Sequence, residues 1–519
     1  MRQRHHRTMW AFAFVLVMHV ASAAAQAPPD TRASAAVRRL SVEEAVALAL
    51  EQNLGIQIDR LSPQIQDLAI AQAKSAWVPN FSTAFRSVSQ NQPPRSALSG
   101  GAETIKDTQF ATELGVSQIL KTGTSYSFAW NSARATSTNL FNNFDPLLSS
   151  NLAFNLTQPL LRNFKIDNTR QLVETSQKDR EAADVQLQAT ILATTRNVKK
   201  AYWDLAYQID NLQAQRQSLD LAKRLLADNE KRVQIGTMAP IDIVEAQSEV
   251  ARNEEAVIVA EAGIKQAEDR LRALIFNPSM PDFWNVALEP TGAMPFAPQA
   301  VDVEGAVQRA LANRTDVRTS KNTLDHHDIN IRFYRNQILP EVNAELTYRN
   351  DAIGGTLLNP ITLTQIGAPR SVVDQRGFGS VLGDVVTNSF PTWTFGVTVA
   401  YPIGRSQSEA NLARARLQYS QAEAQHKNLE LQITTEVRDA ARQVQTNQKR
   451  VDSARAARQL AERRLEAEEK KFAAGIQISF FVFQAQRDLA QARTNEIRAI
   501  ADYNKSLVDF EAVQQTQLR

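Results

Sequence analysis

The sequence predicts a mainly helical fold with a membrane β-barrel part, built from duplicated pairs of long helices and completed only when several copies associate. Three observations predict it. The chain past its first residues is written twice. Each copy carries a stretch of about seventy residues free of proline and glycine. Each copy also carries segments that alternate with period two, aromatic and apolar on one side, small and polar on the other.

The first element is an export signal. Arg2, Arg4 and Arg7 precede an apolar run from Trp10 to Val20, and Ala23, Ala24 and Ala25 offer a cleavage site before Gln26. The run is too short for a stable bilayer anchor. The signal accordingly covers residues 1–25, followed by a linker over 26–39.

The duplication sets the rest. Val42, Glu43, Ala45, Val46 and Leu50 meet Val303, Glu304, Ala306, Val307 and Leu311 at a constant offset of 261, and the same offset carries Pro79 onto Pro340. Further on the offset becomes 239. It maps Val198 to Val437, Leu226 to Leu465, Gly236 to Gly475 and Ala246-Gln247 to Ala485-Gln486. The first copy therefore holds about twenty extra residues between its helical parts. The copies span 40–276 and 301–516, joined by a linker over 277–300.

Each copy opens with short helices, at 41–78 and 302–338. Ser41 with Glu44 makes a capping box, and Asp302 stands at the equivalent cap. Strands follow, at about 80–160 and 341–403. Val342, Ala344, Leu346 and Tyr348 alternate with Asn343, Glu345 and Thr347. Trp393, Phe395, Val397, Val399 and Tyr401 alternate with Thr394, Gly396 and Thr398. Leu152, Phe154 and Leu156 behave likewise, as does Tyr126 to Trp130 after a turn at Lys121 to Gly123. This is what a barrel strand between lipid and water requires, although a half-buried strand of a soluble sandwich alternates too. Two or three strand pairs cannot close a barrel, and an open edge cannot sit in lipid, so a membrane reading demands oligomerisation. The Gly-Gly pairs at 100–101 and 354–355 read as loops.

Long helices then occupy about 165–276 and 407–516. Ile191, Val198, Leu205, Leu212, Leu219, Leu226 and Val233 recur every seven residues, as do Val437, Val444, Val451, Leu465 and Phe472, with Arg458 as a break. A strict heptad specifies left-handed supercoiling of packed helices. A simple coiled-coil hairpin would show the same heptads. Gly236 and Gly475 end the long helices, with Asp242 or Ser479 placed to start the returning ones.

Other function classes find little support. Of 58 basic residues against 55 acidic ones, three Arg leave with the signal, so the net charge falls to zero and no basic patch marks a nucleic-acid partner. There is no cysteine. Past the signal the only histidines are His326, His327 and His426, and adjacent helix residues diverge by about 100°, so no metal site is expected. No catalytic set and no phosphate-binding glycine loop is present, so neither enzyme nor cofactor is expected.

The order and double occurrence of these features, with Leu-Ser-Val-Glu-Glu-Ala-Val (40–46), Ala-Trp-Val-Pro (76–79), Leu-Thr-Gln-Pro-Leu-Leu (156–161) and the glycine-centred tips, resemble the TolC family of outer-membrane efflux proteins over nearly all of the chain after the signal. The resemblance implies a homotrimer in the outer membrane of a Gram-negative-type bacterium. Four strands per chain would build a shared 12-stranded barrel, augmented if the extra hairpin at 107–134 joins it, and the long helices a periplasmic α-barrel. Such a channel is a passive conduit for efflux or type I secretion, opening at its helical tips. It contacts outer-membrane lipid, a periplasmic adaptor (membrane fusion protein) and, through it, an inner-membrane pump. Gly236, Thr237, Met238, Asp242, Gly475, Ile476 and Gln477 would meet the adaptor, while Asp242, Phe472, Phe480, Phe481 and Gln484 would form the periplasmic constriction. Phe472 replaces the family's tyrosine, and Phe481 and Gln484 its gate acids, so a more apolar constriction is implied. The alternative is an exported adaptor-type coiled-coil protein, which would fold about one hairpin without duplication of the whole chain.

Overall fold

The computed structural model describes residues 37–94, 103–280, 283–292, 294–361, 369–404 and 406–515. The signal at 1–25 and the Gly-Gly pair at 100–101 lie outside the described residues.

Each repeat starts with two short helices whose ends are fixed by their own side chains. Helix α1 (Val42–Gln52) opens with the Ser41–Glu44 capping box, and α2 (Leu54–Lys74) opens where the Asn53 side chain accepts from the Ile56 N–H. The second repeat answers with α5 (Val303–Asn313), capped by Asp302, and α6 (Thr315–Gln337). Helix α5 begins and ends 261 residues after α1.

The long helices are α3 (Asn168–Gln234) and α8 (Gln407–Ala473), which return as α4 (Ile241–Ile275) and α9 (Ser479–Gln514). At 67 residues each, α3 and α8 are about 100 Å long. Their heptad seam is where the burial lies. Val437, Val444 and Val451 are fully buried, as are Val198 and Leu205 on α3. Arg458 occupies the same seam without breaking the helix, because its guanidinium reaches Glu462 at 2.8 Å and Glu496.

At the waist, strand β1 (Val37–Leu40) pairs in parallel with β6 (Ala287–Pro290). Both fall largely in segments read from sequence as linkers. They are ordered because Leu40 and Leu288 enter a core with Ala45, Val198, Leu205 and Leu271, and because the Tyr202 hydroxyl donates to the Leu40 carbonyl at 3.1 Å.

At the other end stands one antiparallel sheet. Its strands are β2 (Asn80–Gln92), β3 (Ile105–Ile119), β4 (Ser125–Ser137), β5 (Phe144–Pro159), β7 (Glu341–Leu358) and β9 (Pro391–Ala400), hydrogen-bonded in the order β2-β3-β4-β5-β7-β9. A short β8 (Val372–Arg376) pairs with the far end of β7, and helix α7 (Phe378–Val386) leads from β8 back to β9. The sheet holds six long strands, the four expected per chain together with the extra hairpin, β3–β4. The extra hairpin pairs with its neighbours on both sides, whose side chains carry the same alternation. Gly354 and Gly355 are not in a loop. They lie inside β7 at a bulge opposite Phe144 to Leu147, where Gly355 has φ +110° and an added Cβ would meet the Pro146 carbonyl oxygen at 1.9 Å.

Candidate functional site

Two regions carry chemistry that a folded core does not explain. The first is the sheet. One row across it reads Asn80–Ser117–Ser127–Asn155–Thr347–Thr394, and the next reads Phe81–Val116–Phe128–Phe154–Tyr348–Trp393. Because side chains alternate along each strand, all members of one row share a face. One face is therefore polar across six strands and the other aromatic and aliphatic. The apolar face is uncovered over much of its area, with Trp393 71% exposed, Phe85 68% and Val399 68%. A soluble sheet would bury that face; a sheet in lipid leaves it bare. Among the described residues, no helix is long and apolar enough to cross a membrane.

Helix α7, which sequence reading did not identify, lies on this apolar face. Val381 and Val385 pack against Leu148, Leu152 and Ala352. The Asn350 side chain donates to the Val385 carbonyl at 2.6 Å and accepts from the Phe390 N–H at 3.0 Å, satisfying the helix end. An apolar groove of about 650 Å³ remains between α7 and the strands, lined by Phe81, Val116, Phe128 and Leu382 among others. Val386 is 84% exposed on the outer side of α7. The signal for α7 was its composition, apolar and short, between two strands.

The second region is the pair of hairpin tips. Both long helices end in the same way. Gly236 has φ +78° and Gly475 +72°, the left-handed conformation that glycine adopts without steric cost. The Thr237 N–H donates to the Arg232 carbonyl at 2.9 Å, and the Ile476 N–H to that of Lys471 at 3.0 Å. Gly236 and Gly475 donate to Val233 and Phe472. These bonds satisfy the last carbonyls of each long helix.

Beyond the turns, the expected caps are not made. Pro240 and Ile478 precede the returning helices without a side-chain cap, and Asp242 and Ser479 sit inside the first turns. They face each other instead: the Ser479 hydroxyl lies 3.4 Å from an Asp242 carboxylate oxygen and joins the two tips. Asn229, fully buried on α3, donates to the Asp242 carbonyl at 3.5 Å.

Phe472 is not on the tip surface, as a place in a constriction had implied. It is 7% exposed, clustered with Leu465, Val482 and Phe483, and the Arg232 guanidinium lies 4.3 Å from its ring centre. Arg232 also donates to the Phe472 carbonyl at 3.3 Å, a role that no sequence signal had marked. The reason is periodicity: Phe472 continues the buried heptad. Phe480 and Phe481 are partly exposed and meet edge to face at 5.7 Å, and Gln484 is exposed one turn further along. Gly236, Thr237, Gly475 and Ile476 are exposed, whereas Met238 and Gln477 are half-buried, Met238 packing against the tip core. Ile235, Ile241 and Ile478 add to the exposed apolar surface. Among the described residues no group of His, Cys, Asp or Glu could hold a metal ion. His326 pairs with Asp179 at 2.9 Å and His426 with Ser320 at 3.0 Å.

Comparison with known proteins agrees with this architecture. The family model for outer membrane efflux protein matches residues 45–275 and 306–513, once per repeat. No match is found among curated proteins. Among solved structures, the chain superposes on a membrane protein from Pseudomonas aeruginosa with a TM-score of 0.65 at 16% identity, covering 94% of this chain and 96% of that one. It superposes on the CmeC outer membrane channel of Campylobacter jejuni with a TM-score of 0.62 at 16% identity, covering 91% and 85%. For the outer membrane protein VceC of Vibrio cholerae the values are 0.62, 14%, 92% and 97%. With the family pattern matched in both repeats, on long periplasmic helices and a sheet with one lipid-type face, the chain belongs to the outer membrane efflux protein family and is an outer-membrane channel component.

Proposed function

We propose that three copies assemble side by side, joining their sheets into one closed barrel and their long helices into one hollow periplasmic tube. The observation that carries this reading is the six-stranded sheet with an uncovered apolar face and two free edges, β2 and β9. Six strands cannot close on themselves with room for side chains, since about eight are needed, and lipid does not tolerate an open edge. Copies of the same chain supply the missing strands.

Within such a tube the mechanism is passage, with no bond made or broken. The tips, with Gly236, Thr237, Gly475 and Ile476 exposed and Met238, Asp242 and Gln477 half-buried beside them, are offered to a periplasmic adaptor that couples the channel to an inner-membrane pump. Apolar Ile235, Ile241, Ile476 and Ile478 support docking there, because exposed aliphatic side chains at a helix turn gain by burial against a partner. Phe480, Phe481 and Gln484 with Asp242 are proposed to narrow the entrance, with Phe472 and Arg232 supporting them from beneath. Opening then means separating the two tips that Asp242 and Ser479 hold together.

Native mass spectrometry of the protein extracted from outer membranes in mild detergent tests the assembly. A mass of three chains without their signals is expected. A water-soluble monomer recovered from the periplasm would overturn the reading.

A further inference from the structure

The β3–β4 hairpin does more than decorate the sheet. We infer that it widens the shared barrel to eighteen strands, with β2 of one protomer pairing antiparallel to β9 of the next. The inference rests on the trimeric assembly proposed above.

Four observations lead to it. First, the hairpin is paired along nearly its whole length on both sides. β2 pairs with β3 from Asn80↔Ser117 to Gln92↔Ile105, and β4 with β5 from Ser125↔Thr157 to Ala135↔Leu147. Neither register contains a bulge, so the hairpin is part of the wall.

Second, its faces agree with the wall. Val116 and Phe128 stand in the aromatic row between Phe81 and Phe154, and Ser117 and Ser127 in the polar row between Asn80 and Asn155. A one-residue slip would put every one of these side chains on the wrong face.

Third, the insertion leaves the two edges able to meet. β2 and β9 run in opposite directions, with exposed residues along nearly all of both. Neither strand contains an interior proline to interrupt a ladder; Pro391 is the first residue of β9.

Fourth, the stagger is right for closure. Asn80, the first residue of β2, shares its row with Thr394, and β9 continues six residues further to Ala400. Six residues over six strands is one residue per strand. With a rise of about 3.3 Å per residue and a spacing of about 4.8 Å between strands, the strands tilt by roughly 35°. Transmembrane barrels tilt by about 35–45°. If Asn80 of one chain meets Ala400 of its neighbour, the strand ends become level around the ring. Phe81 then faces Val399 and Phe85 faces Phe395 on the lipid side, while Ser82 faces Thr398 and Arg86 faces Thr394 on the water side. The alternation passes unbroken from chain to chain.

The consequence is a wide outlet. At this tilt eighteen strands enclose a cylinder about 34 Å across between backbones, against about 22 Å for twelve. The helical part keeps two long hairpins per chain, so the widening is confined to the membrane end. Any selection by size therefore falls to the periplasmic tube and its tips.

Electron cryomicroscopy of the full protein in detergent, cut in cross-section through the barrel, decides the matter. Eighteen strands in a threefold particle are expected. A threefold particle with twelve strands, its β3–β4 hairpin outside the wall, would overturn this inference and leave the trimer standing. A particle without threefold symmetry would overturn the trimer itself and the strand count with it.

Discussion

Ser479 Oγ donates to Asp242 Oδ1 across 3.4 Å, and with this bond the first turn of α9 is tied to the first turn of α4. Asp242 is the second residue of α4 and Ser479 the first of α9, so the bond joins the two helical tips of one chain. It is long and single, and Ile241 and Ile478 beside it are largely exposed. A contact of this kind holds a closed arrangement without locking it, since one such hydrogen bond contributes about 1 kcal/mol.

From that geometry, Asp242→Ala should loosen the tips while leaving the fold intact. The expected readout is a several-fold rise in ion conductance of the purified channel in planar bilayers, with a melting temperature within a few degrees of the parent because a single long, partly buried bond is lost. Ser479→Ala should show the same phenotype, and the double substitution should add little to either single one. Additive effects would mean that the two residues act separately.

The heptad seam yields a second prediction at Arg458. Its guanidinium reaches Glu496 and Glu462, and Glu496, only 12% exposed, also receives Arg455 at 3.4 Å. Arg458→Leu restores an apolar heptad yet leaves Glu496 in the seam with one weak partner. A loss of about 1–3 kcal/mol is expected, from a partly buried carboxylate left under-satisfied. Adding Glu496→Gln should recover much of it. Denaturant melts of the four members of this cycle measure the coupling, and a coupling near zero would show that the cluster is a solvated surface network.

These cases also show what could be read from the chain alone. The long helices were legible because nothing interrupts them for about seventy residues and because Val437, Val444 and Val451 mark the buried seam. The tip turns were legible through Gly236 and Gly475, whose positive φ only glycine adopts readily. Period two found β7 and β9. What alternation cannot reveal is which strands are neighbours, so the place of β3 and β4 between β2 and β5 had to come from the fold. Phe472 is the instructive case at the candidate site. Its heptad position pointed to burial, whereas resemblance pointed to the constriction, and within the chain the heptad prevails. Arg232 over its ring had no local signature, because a cation above an aromatic ring is made by two helices distant in sequence.

The proposed closure can be probed chemically, since the protein has no cysteine of its own. Ala84 and Gly396 lie on the polar faces of β2 and β9, and a side chain added at Gly396 meets nothing within 4 Å. In the closure register they stand opposite each other on neighbouring chains. The double variant Ala84→Cys/Gly396→Cys should therefore oxidise to dimers and trimers on a denaturing gel, reversed by reductant. Each single variant should remain monomeric there. Shifting one cysteine to the opposite face, at Phe85, should abolish the product, and crosslinking that persists would contradict the register.

A last prediction concerns pH and Asp210, on α3. Burial pushes its carboxyl pKa up, and no basic partner offsets the effect. Arg458, Glu462, Arg493 and Glu496 border the same cleft, so charges of both signs surround it. A raised folded pKa means that the fold favours the protonated acid. This contribution to stability is fully present below the unfolded value of 3.8 and is lost as pH rises through the folded value. Above its folded value Asp210 is ionised at a cost, and Asp210→Asn should stabilise the protein in that range. The expected gain is about 1–2 °C in melting temperature at pH 7.5, shrinking toward zero as the pH approaches 4. Thermal melts of the two proteins across that range test the sign directly. A gain that grows as the pH falls would show that Asp210 is held by a favourable charge, contrary to its buried setting.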